Sequence, residues 1–464
     1  MDVQVQRSFT IPPPVTKSEE VPLTVFSLFM PSYYYTILFA FTSPNPTNAA
    51  LLLALTATLP HFPLLTARLT NKPPPRRPCF VTGDQGSGAL VVEAAVPASP
   101  LSDHLPLVPS PELVLLHPPV VDEQGAAATP HLFGVQITRF ACGGVVVATS
   151  VQHQAADGCS LSTFLHAWAG AVRAGGAVPR RLGHTVPYGP GALAPRCPPR
   201  CEFEHRGAEF LPLSSPQPQN RGGDDDDDDD NAPPPKTETT TTNMLLHYTG
   251  EFVAELRASV QDRHTAFEAV SAHLWRKVTA ARVCAAAGDG DGDDADTART
   301  TSMVKVAVDG RRRLAGREAV FGNLALTALS RTDVGKLVAN GGLADAAALV
   351  RAGVRAVDGR YFQSFIDFGA LHGDEELVPI WEKPSAETNS CFLDLEVDSW
   401  LQLGFDSLDF GLGGRLVGIL PARIPLDGVV VLIPSMREAG GIDVLVALHE
   451  KPARVLKDIA YTID

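Results

Sequence analysis

Residues 145–158 read Val145-Val146-Val147-Ala148-Thr149-Ser150-Val151-Gln152-His153-Gln154-Ala155-Ala156-Asp157-Gly158. The apolar, β-branched start of this segment predicts a strand, and the pattern that begins at Ser160 predicts a helix that continues to about Arg173. His153 therefore lies at the tip of a strand, before a turn and a helix, where clefts form. Because imidazole accepts a proton near neutral pH without tuning, His153 is a candidate general base.

A histidine at this spacing also has a plainer interpretation. The chain contains 13 His, and most histidines are surface or satisfied core residues. A zinc site at His153 and Asp157 is disfavoured, because such sites need three or four ligands and no second His or Cys cluster stands nearby. His166 lies within an apolar helical pattern and is interpreted as a packed residue. Spacing alone therefore leaves the role of His153 open, and no metal is expected.

Length and charge narrow the class of protein. The 464 residues favour two domains, and a hydrophobic content of 45% is typical of a globular chain. The net charge is −14, of which the run Asp224–Asp230 supplies seven negative charges. An acidic chain lacks the basic face of a nucleic-acid-binding protein and is not attracted to an anionic membrane. We therefore expect neither nucleic acid nor a membrane as a partner.

Cysteine usage and the apolar stretches predict a cytoplasmic protein. The seven Cys are odd in number and scattered, which fits a reducing compartment better than a disulfide framework. The first residues show neither the basic nor the apolar region of a signal peptide. Pro31, Pro421 and Pro425 interrupt the most apolar segments, so none reaches the roughly 18 residues of a membrane-spanning helix.

Composition divides the chain into three parts. Residues 1–185 are predicted to form a first domain that contains His153, and residues 244–464 a second. Residues 186–243 are rich in Pro and Gly, contain the Asp run, and are predicted to be a crossover or linker. The Asp run itself is interpreted as a solvated loop. We expect the segment near 409–430 to pack on the first domain.

Predicted strands and helices alternate in both domains. Strands are predicted at residues 22–42, 90–96, 132–151, 301–308, 392–397, 429–433 and 442–447, and helices at 47–58 and 343–357. Thr47 is a candidate N-cap, and Thr265 with Glu268 forms the capping-box pattern of a further helix. The chain is thus an α/β protein, without a dinucleotide fingerprint or a phosphate-binding loop in its sequence.

Several segments together resemble the motifs of the plant BAHD acyl-CoA-dependent acyltransferases. His153–Gly158 looks like the family's HxxxDG motif, and Asp409–Gly413 looks like its second signature, DFGWG, about 250 residues later. Asp309–Leu314 resembles the DGRxRL strand, Val320–Asn323 the YFGN turn, and Thr265–Trp275 the STFE…AHxW helix. The resemblance covers nearly the whole chain. It implies two similar mixed-sheet α/β domains flanked by helices, similar to chloramphenicol acetyltransferase, with an active-site channel between them.

Two positions depart from the family pattern. Leu412 stands where the second signature usually has Trp, and Gln152 stands where a second His often precedes the catalytic one. In relatives the second signature lies away from the reacting atoms, so Leu412 bears on the fold more than on the chemistry.

The resemblance also implies roles for the residues of the first motif. His153 would be the general base, which takes the proton from the acceptor as it attacks the thioester of acyl-CoA directly, without an acyl-enzyme. Asp157 would form an ion pair with Arg311 and support the loop geometry, and would not assist His153.

Other family positions concern the acyl pocket and the channel. Trp400 matches a position at the acyl pocket and would help to place the oxyanion donor. Asp409, Gly411 and Gly413 would shape the turn next to the channel. The terminus of the helix that Thr265 caps is a candidate site for the CoA diphosphate, because helix N-termini bind anions.

Within the family, the chain is most similar to the branch that acylates amines such as agmatine, putrescine and tryptamine. The signal is Asp398-Ser399-Trp400, where O-acylating relatives carry Thr-Ser-Trp. An alkylamine arrives as a cation, since such groups titrate at about pH 10, and a carboxylate would hold it. Asp398 is therefore predicted to bind the acceptor. The alternative is that Asp398 pairs with an internal Arg or caps a turn.

The predicted function is transfer of a hydroxycinnamoyl or benzoyl group from acyl-CoA to an amine, by a cytoplasmic monomer that needs no cofactor besides this donor. One alternative is an O-acyltransferase of the same family that acts on a phenolic glucoside, a shikimate-type acid or an alcohol. The other is a non-catalytic paralogue, which Leu412 and the insert at 222–235 suggest and the intact His153, Asp157 and Arg311 oppose.

Overall fold

The strands and helices of the first part of the chain are seen in a computed structural model, which describes residues 1–70, 77–120, 129–178, 186–212, 241–260, 263–287, 301–382 and 393–463. The strands are β1 (Gln4–Ile11), β2 (Glu20–Pro22), β3 (Tyr34–Phe41), β4 (Arg68–Thr70), β5 (Cys79–Val81), β6 (Ala89–Val96), β7 (Phe133–Phe140) and β8 (Val145–Gln152). The helices are α1 (Val25–Phe29), α2 (Asn48–Thr58) and α3 (Gly158–Arg173). The Asp224–Asp230 run lies outside the described residues.

The second part of the chain continues this alternation. Its strands are β9 (Thr241–Tyr248), β10 (Thr301–Asp309), β11 (Ala325–Asp333), β12 (Leu395–Ser399), β13 (Leu416–Pro421), β14 (Val429–Pro434) and β15 (Ile442–His449). Its helices are α4 (Gly250–Ser259), α5 (Ala266–Ala287), α6 (Leu343–Ala356), α7 (Gly359–Leu371) and α8 (Glu450–Ile459).

These strands form two six-stranded mixed sheets and one small sheet. The first sheet has the order β1-β6-β7-β8-β3-β13, the second has the order β11-β10-β12-β14-β15-β9, and β2-β5-β4 form the third. The β6–β7 pair is parallel in the first sheet, as are the β10–β12 and β12–β14 pairs in the second. The predicted architecture of two mixed-sheet α/β units is confirmed. Strand β13 comes from the second part of the chain and pairs with β3 in the first sheet.

Each sheet packs its helices over an apolar core around a buried tryptophan. In the first unit the indole N–H of Trp168, on α3, donates to the Leu51 carbonyl of α2 at 2.9 Å. In the second unit the indole N–H of Trp275, on α5, donates to the Ser302 hydroxyl of β10 at 2.8 Å. Both tryptophans are fully buried. Each polar N–H therefore has the partner that a buried donor needs.

Side-chain alternation on β14 and β15 shows how the two units meet. Val430 and Val444 belong to the core of the second unit, whereas Val431, Ile433 and Leu445 belong to the core cluster of the first. Because successive residues of a strand point to opposite faces, one whole face of the second sheet is turned toward the first unit.

The crossover segment is fastened to α7 by buried polar contacts. His205 bonds through Nδ1 to Glu209 at 3.0 Å and through Nε2 to the Ser364 hydroxyl at 3.0 Å. Ser364 is fully buried, and its oxygen also accepts the N–H groups of Glu202 and Phe203. This Ser–His–Glu chain is therefore a structural fastening, because its hydroxyl is closed to any substrate.

One segment differs from the sequence prediction. Residues 22–42 were expected to be extended, but Val25–Phe29 is the short helix α1. The Thr24 hydroxyl caps it by accepting the Ser27 N–H at 3.1 Å, and Phe26 packs edge-on against Phe365 of α7 at 5.0 Å. Aromatic residues suit a strand or a packed helix equally well, so the tertiary contact with α7 decided the outcome.

Within the described ranges, no helix combines the length and apolarity that spanning a bilayer requires.

Candidate active site

His153 immediately follows β8 and is held by main-chain contacts on both sides. Its N–H donates to the Tyr33 carbonyl at 2.8 Å, and its own carbonyl accepts from the Asn323 amide at 2.9 Å. The rings of Tyr33 and Tyr35 lie 5.5 Å and 5.0 Å from the imidazole. Residues from both units therefore fix the position of this imidazole.

The turn at 320–323 joins the second unit to the segment that carries His153. The Asn323 amide also donates to the Gln154 carbonyl at 2.8 Å, and the Ser160 hydroxyl donates to the Gly322 carbonyl at 2.8 Å. Gly322 has φ +120°, a backbone conformation that a side chain would strain. The resemblance to the YFGN turn thus has a physical basis, because the glycine permits the turn and the asparagine holds the histidine loop.

Asp157 both caps α3 and pairs with Arg311. Its Oδ1 accepts the Ser160 N–H at 2.9 Å, as an N-cap does. Its Oδ2 accepts from Arg311 Nη1 at 2.9 Å and from the Leu324 N–H at 2.9 Å. Both carboxylate oxygens are thus engaged away from the imidazole, which is the arrangement that the family resemblance implied.

Arg311 is the centre of this interdomain contact. Its Nε donates to the Val320 carbonyl at 2.9 Å, and its Nη2 donates to the Ser160 hydroxyl at 2.9 Å and to the Gly322 carbonyl at 3.0 Å. Burial alone would lower the pKa of Arg311, but the nearby charges of Asp157 and Asp309 outweigh it and raise that pKa. The guanidinium is therefore a permanent cation that fastens α3 to β10 and β11.

The imidazole of His153 is suited to act as a base. Burial lowers the pKa of His153, against smaller opposing effects of its own carbonyl and the charge of Asp157. The lowered pKa favours the neutral form of the ring, which can accept a proton. Its Nδ1 is buried and has no hydrogen-bond partner in the part of the chain that the structure describes.

Asp398 and Glu396 share the face of β12 that is turned toward the first unit. They are two residues apart on the strand, and Asp398 is in register with Val431, which belongs to the first unit's core. Neither carboxylate has a hydrogen bond or an ion pair with any residue in the described ranges. The alternative that Asp398 pairs with an internal Arg therefore has no support from these contacts.

The charges of these two carboxylates act on Tyr33, which belongs to the first unit. Tyr33 has an exposed fraction of 41%, and Glu396 is also accessible to water. Burial raises the pKa of Tyr33, and the charges of Asp398 and Glu396 raise it further. The two carboxylates therefore lie on the face of β12 that is turned toward the first unit, near Tyr33.

Confinement of two like charges changes their titration. Burial, and then the neighbouring charge of Glu396, raises the pKa of Asp398 to about 7. Burial also raises the pKa of Glu396, although the charge of Lys305 opposes this effect. Lys305 itself lies 3.5 Å from Asp394 in an ion pair. This face of β12 is therefore acidic, and its charge depends on pH near neutrality.

Trp400 follows β12 and packs into the first unit's core. Its N–H donates to the Leu432 carbonyl at 2.8 Å, and its ring meets Phe405 edge-on at 5.6 Å. The indole N–H has no acceptor among the described residues. The predicted role of Trp400 in the acyl pocket stays a prediction.

The second signature forms a turn on the surface of the first unit. Asp409 is exposed, its Oδ1 accepts the Gly411 N–H at 2.7 Å, and its carbonyl accepts from Arg173 at the end of α3. Gly411, Leu412 and Gly413 all have positive φ, at +91°, +61° and +89°. This turn contacts α3, and none of its hydrogen bonds with described residues reaches His153.

Thr265 caps α5, away from the residues described above. Its hydroxyl accepts the Glu268 N–H at 3.2 Å, and Glu268 Oε2 accepts the Thr265 N–H at 2.8 Å and pairs with Arg351 at 2.7 Å. A carboxylate thus already occupies this helix terminus. The prediction that Thr265 binds CoA stays a prediction.

Sequence reasoning missed roles for Glu396, Tyr33 and Asn323. Glu396 could have been found from the Glu-x-Asp spacing, because residues two apart on a strand share a face. No local signal pointed to Tyr33, whose place beside His153 depends on the pairing of β3 with β8.

Two known enzymes and one solved structure are similar to this chain over nearly its whole length. The rice (Oryza sativa subsp. japonica) protein putrescine hydroxycinnamoyltransferase is 33% identical over 99% of this chain and 98% of its own length. The rice protein tryptamine hydroxycinnamoyltransferase 2 is 33% identical over 100% of this chain and 99% of its own length. The crystal structure of vinorine synthase has the same fold, with a TM-score of 0.67, 18% identity and coverage of 100% of this chain and 99% of that one.

The family comparison agrees with these relatives. The model of the Transferase family matches residues 1–462, almost the entire chain. Together with the full-length relatives, this match confirms the resemblance drawn from the five motifs. The chain belongs to the Transferase family of plant BAHD acyl-CoA-dependent acyltransferases, and it is an enzyme that transfers acyl groups.

Proposed function

We propose that this enzyme transfers a hydroxycinnamoyl or benzoyl group from its CoA thioester to an amine, with His153 as the general base. The observation that carries the proposal is the acidic face of β12, where Asp398 and Glu396 have no hydrogen bond or ion pair with a residue that the structure describes. A carboxylate without a partner attracts a cation, and an alkylamine is a cation at neutral pH. The two relatives named above act on putrescine and tryptamine, which are both alkylamines.

The chemical step uses the neutral imidazole. The amine nitrogen attacks the thioester carbonyl, a C–N bond forms, and His153 takes a proton from the nitrogen. The tetrahedral intermediate then expels CoA, and the proton on His153 passes to the departing thiolate sulfur. General-base catalysis of this kind contributes about 10²–10⁴-fold to a rate. The lowered pKa of His153 keeps the imidazole unprotonated for this step.

The other site residues support this step. Asp157 and Arg311 hold the histidine loop against the second unit, and Trp400 is proposed to border the acyl pocket. We also propose that the enzyme acts as a cytoplasmic monomer and that it needs no cofactor besides the acyl-CoA donor.

The test compares acceptors that differ in one functional group. Purified protein receives coumaroyl-CoA or benzoyl-CoA with putrescine or with butane-1,4-diol, and product masses and free thiol are measured. We expect amides from putrescine. Asp398→Asn should lower kcat/KM for putrescine about 10–100-fold, the worth of a charge-assisted contact of about 1.5–3 kcal/mol. Asp406→Asn, at an exposed carboxylate on the loop after β12, is the matched control and should leave it unchanged.

Esters alone, with no amide, would replace this proposal with the O-acyltransferase alternative. In that case His153 would keep its role, and Asp398 would have no part in acceptor choice.

A further inference from the structure

An alkylamine must lose two protons on its way to an amide. It arrives as R–NH₃⁺, and the reaction is R–NH₃⁺ + R′–CO–S–CoA → R–NH–CO–R′ + CoA–SH + H⁺. One proton leaves the nitrogen as the C–N bond forms and ends on the thiol of CoA. The other must leave earlier, because an ammonium nitrogen has no lone pair with which to attack.

Among the described residues, the carboxylate nearest to His153 along the chain is not free to take the second proton. The imidazole can accept one proton at its free lone pair, and its Nδ1 is buried without a partner among the described residues. Asp157, the carboxylate closest along the chain, has both oxygens engaged by Ser160, Leu324 and Arg311. Asp157 is therefore not free to relay a proton away from the imidazole.

We propose that the carboxylate pair Glu396 and Asp398 accepts the first proton and converts the bound alkylammonium to the free amine that His153 then activates. This inference rests on the proposed function. The pair would be a second base, on the face of β12 that is turned toward the first unit. The proton transfers from nitrogen to a carboxylate oxygen and leaves the pair with one negative charge fewer, and it returns to water after the product has departed.

Geometry places the pair in reach of the same substrate. Both side chains are on the face of β12 that is turned toward the first unit, and both influence the ionisation of Tyr33. The ring of Tyr33 in turn lies 5.5 Å from the imidazole. An amine bound between the two units can therefore contact the carboxylates first and then face His153.

The charges around the pair favour this exchange. The groups that face it are Tyr33 from the first unit and Lys305 from β10, and Lys305 is itself paired with Asp394. Asp398 has a pKa of about 7, so at neutral pH it attracts a cation and can also hold a proton. An ammonium ion has an ordinary pKa of about 10, so in water the transfer is unfavourable by about 10³-fold. In an enclosed site the neutral amine and the neutral carboxyl are favoured over the ion pair, because charges lose hydration there.

Two acceptors of nearly the same shape separate proton removal from other effects. Phenethylamine is protonated at neutral pH, whereas O-benzylhydroxylamine, in which oxygen replaces one methylene, is uncharged. The wild type and Glu396→Gln/Asp398→Asn are compared with both acceptors from pH 6 to 10, with Asp406→Asn as control. Thermal unfolding shows that each variant is folded, and the single variants replace the double one where it is not.

For the double variant we expect kcat with phenethylamine at pH 7 to fall about 10²–10³-fold. The reason is that only the small unprotonated fraction of the amine would react. It should recover about tenfold per pH unit toward pH 10. With O-benzylhydroxylamine, kcat should stay within about threefold of the wild type. A rise in KM alone, with kcat preserved and no recovery at high pH, would show that the pair only holds the cation and would overturn the inference. Equal losses with both acceptors would also overturn it. Absence of amide in the wild type would instead refute the proposed function itself.

Discussion

Replacing Arg311 by methionine should weaken the contact between the two units. The substitution leaves Asp157 buried without its cation, which we expect to lower the free energy of unfolding by about 3–5 kcal/mol. Arg311→Lys keeps the charge, but one ammonium cannot serve the Val320 and Gly322 carbonyls and the Ser160 hydroxyl together. Arg311→Lys should therefore lower the free energy of unfolding by about 2–3 kcal/mol, since each lost hydrogen bond is worth about 1 kcal/mol.

Urea unfolding, followed by tryptophan fluorescence, measures these differences when the slope of free energy against urea is unchanged. The control is Arg312→Met, because the neighbouring Arg312 is exposed and contacts only Gln402 among the described residues. Its effect should be within about 0.5 kcal/mol, as for most surface substitutions. The double variant Asp157→Asn/Arg311→Met should lower the free energy of unfolding less than Arg311→Met alone does. It leaves no buried charge without a partner. If Arg311→Met unfolds at the same urea concentration as the control, Arg311 does not have this fastening role.

The remaining predictions concern the base, its titration and the second signature. His153→Ala should lower kcat about 10²–10⁴-fold without changing the thermal midpoint; a folded variant with near-wild-type turnover would exclude His153 as the base. Because burial lowers the pKa of His153, kcat with an uncharged acceptor should fall only as the pH drops below about 6.5. A kcat that already falls above pH 6.5 would contradict the buried surroundings of His153. Leu412 is 69% exposed and has a φ of +61°. Leu412→Gly should therefore raise the free energy of unfolding by about 0.5–1 kcal/mol. Leu412→Ala keeps the Cβ and should show no gain.

Local signals predicted the elements around the first motif well. Thr47 and Thr265, the two N-caps that the sequence predicted, are hydrogen-bonded caps of α2 and α5, because their side chains bond to the next turn of the same chain. Capping needs only neighbours in sequence, so a sequence pattern suffices to find it. The helix α1 was not predicted, because its stability comes from packing on α7, more than 300 residues later.

The site was predictable as a set of chemical groups but not as an arrangement. The family resemblance pointed to His153, Asp157, Arg311 and Asp398, whereas the effect of Glu396 on the pKa of Asp398 depends on the folded structure. A strand pattern says that these two carboxylates share a face, but packing decides whether that face meets water or the first unit.

The amino-acid order alone therefore determined the chemistry available to this enzyme and the local turns and caps that present it. Tertiary structure alone decided that β13 joins the first sheet, that Asn323 holds the loop of His153, and that the face of β12 with Glu396 and Asp398 is turned toward the first unit. The physical reason is the distance along the sequence between the residues that interact. Hydrogen bonds within one turn are set by neighbouring residues, whereas contacts between residues 150 or more positions apart, and the pKa values that depend on them, exist only once both units have packed.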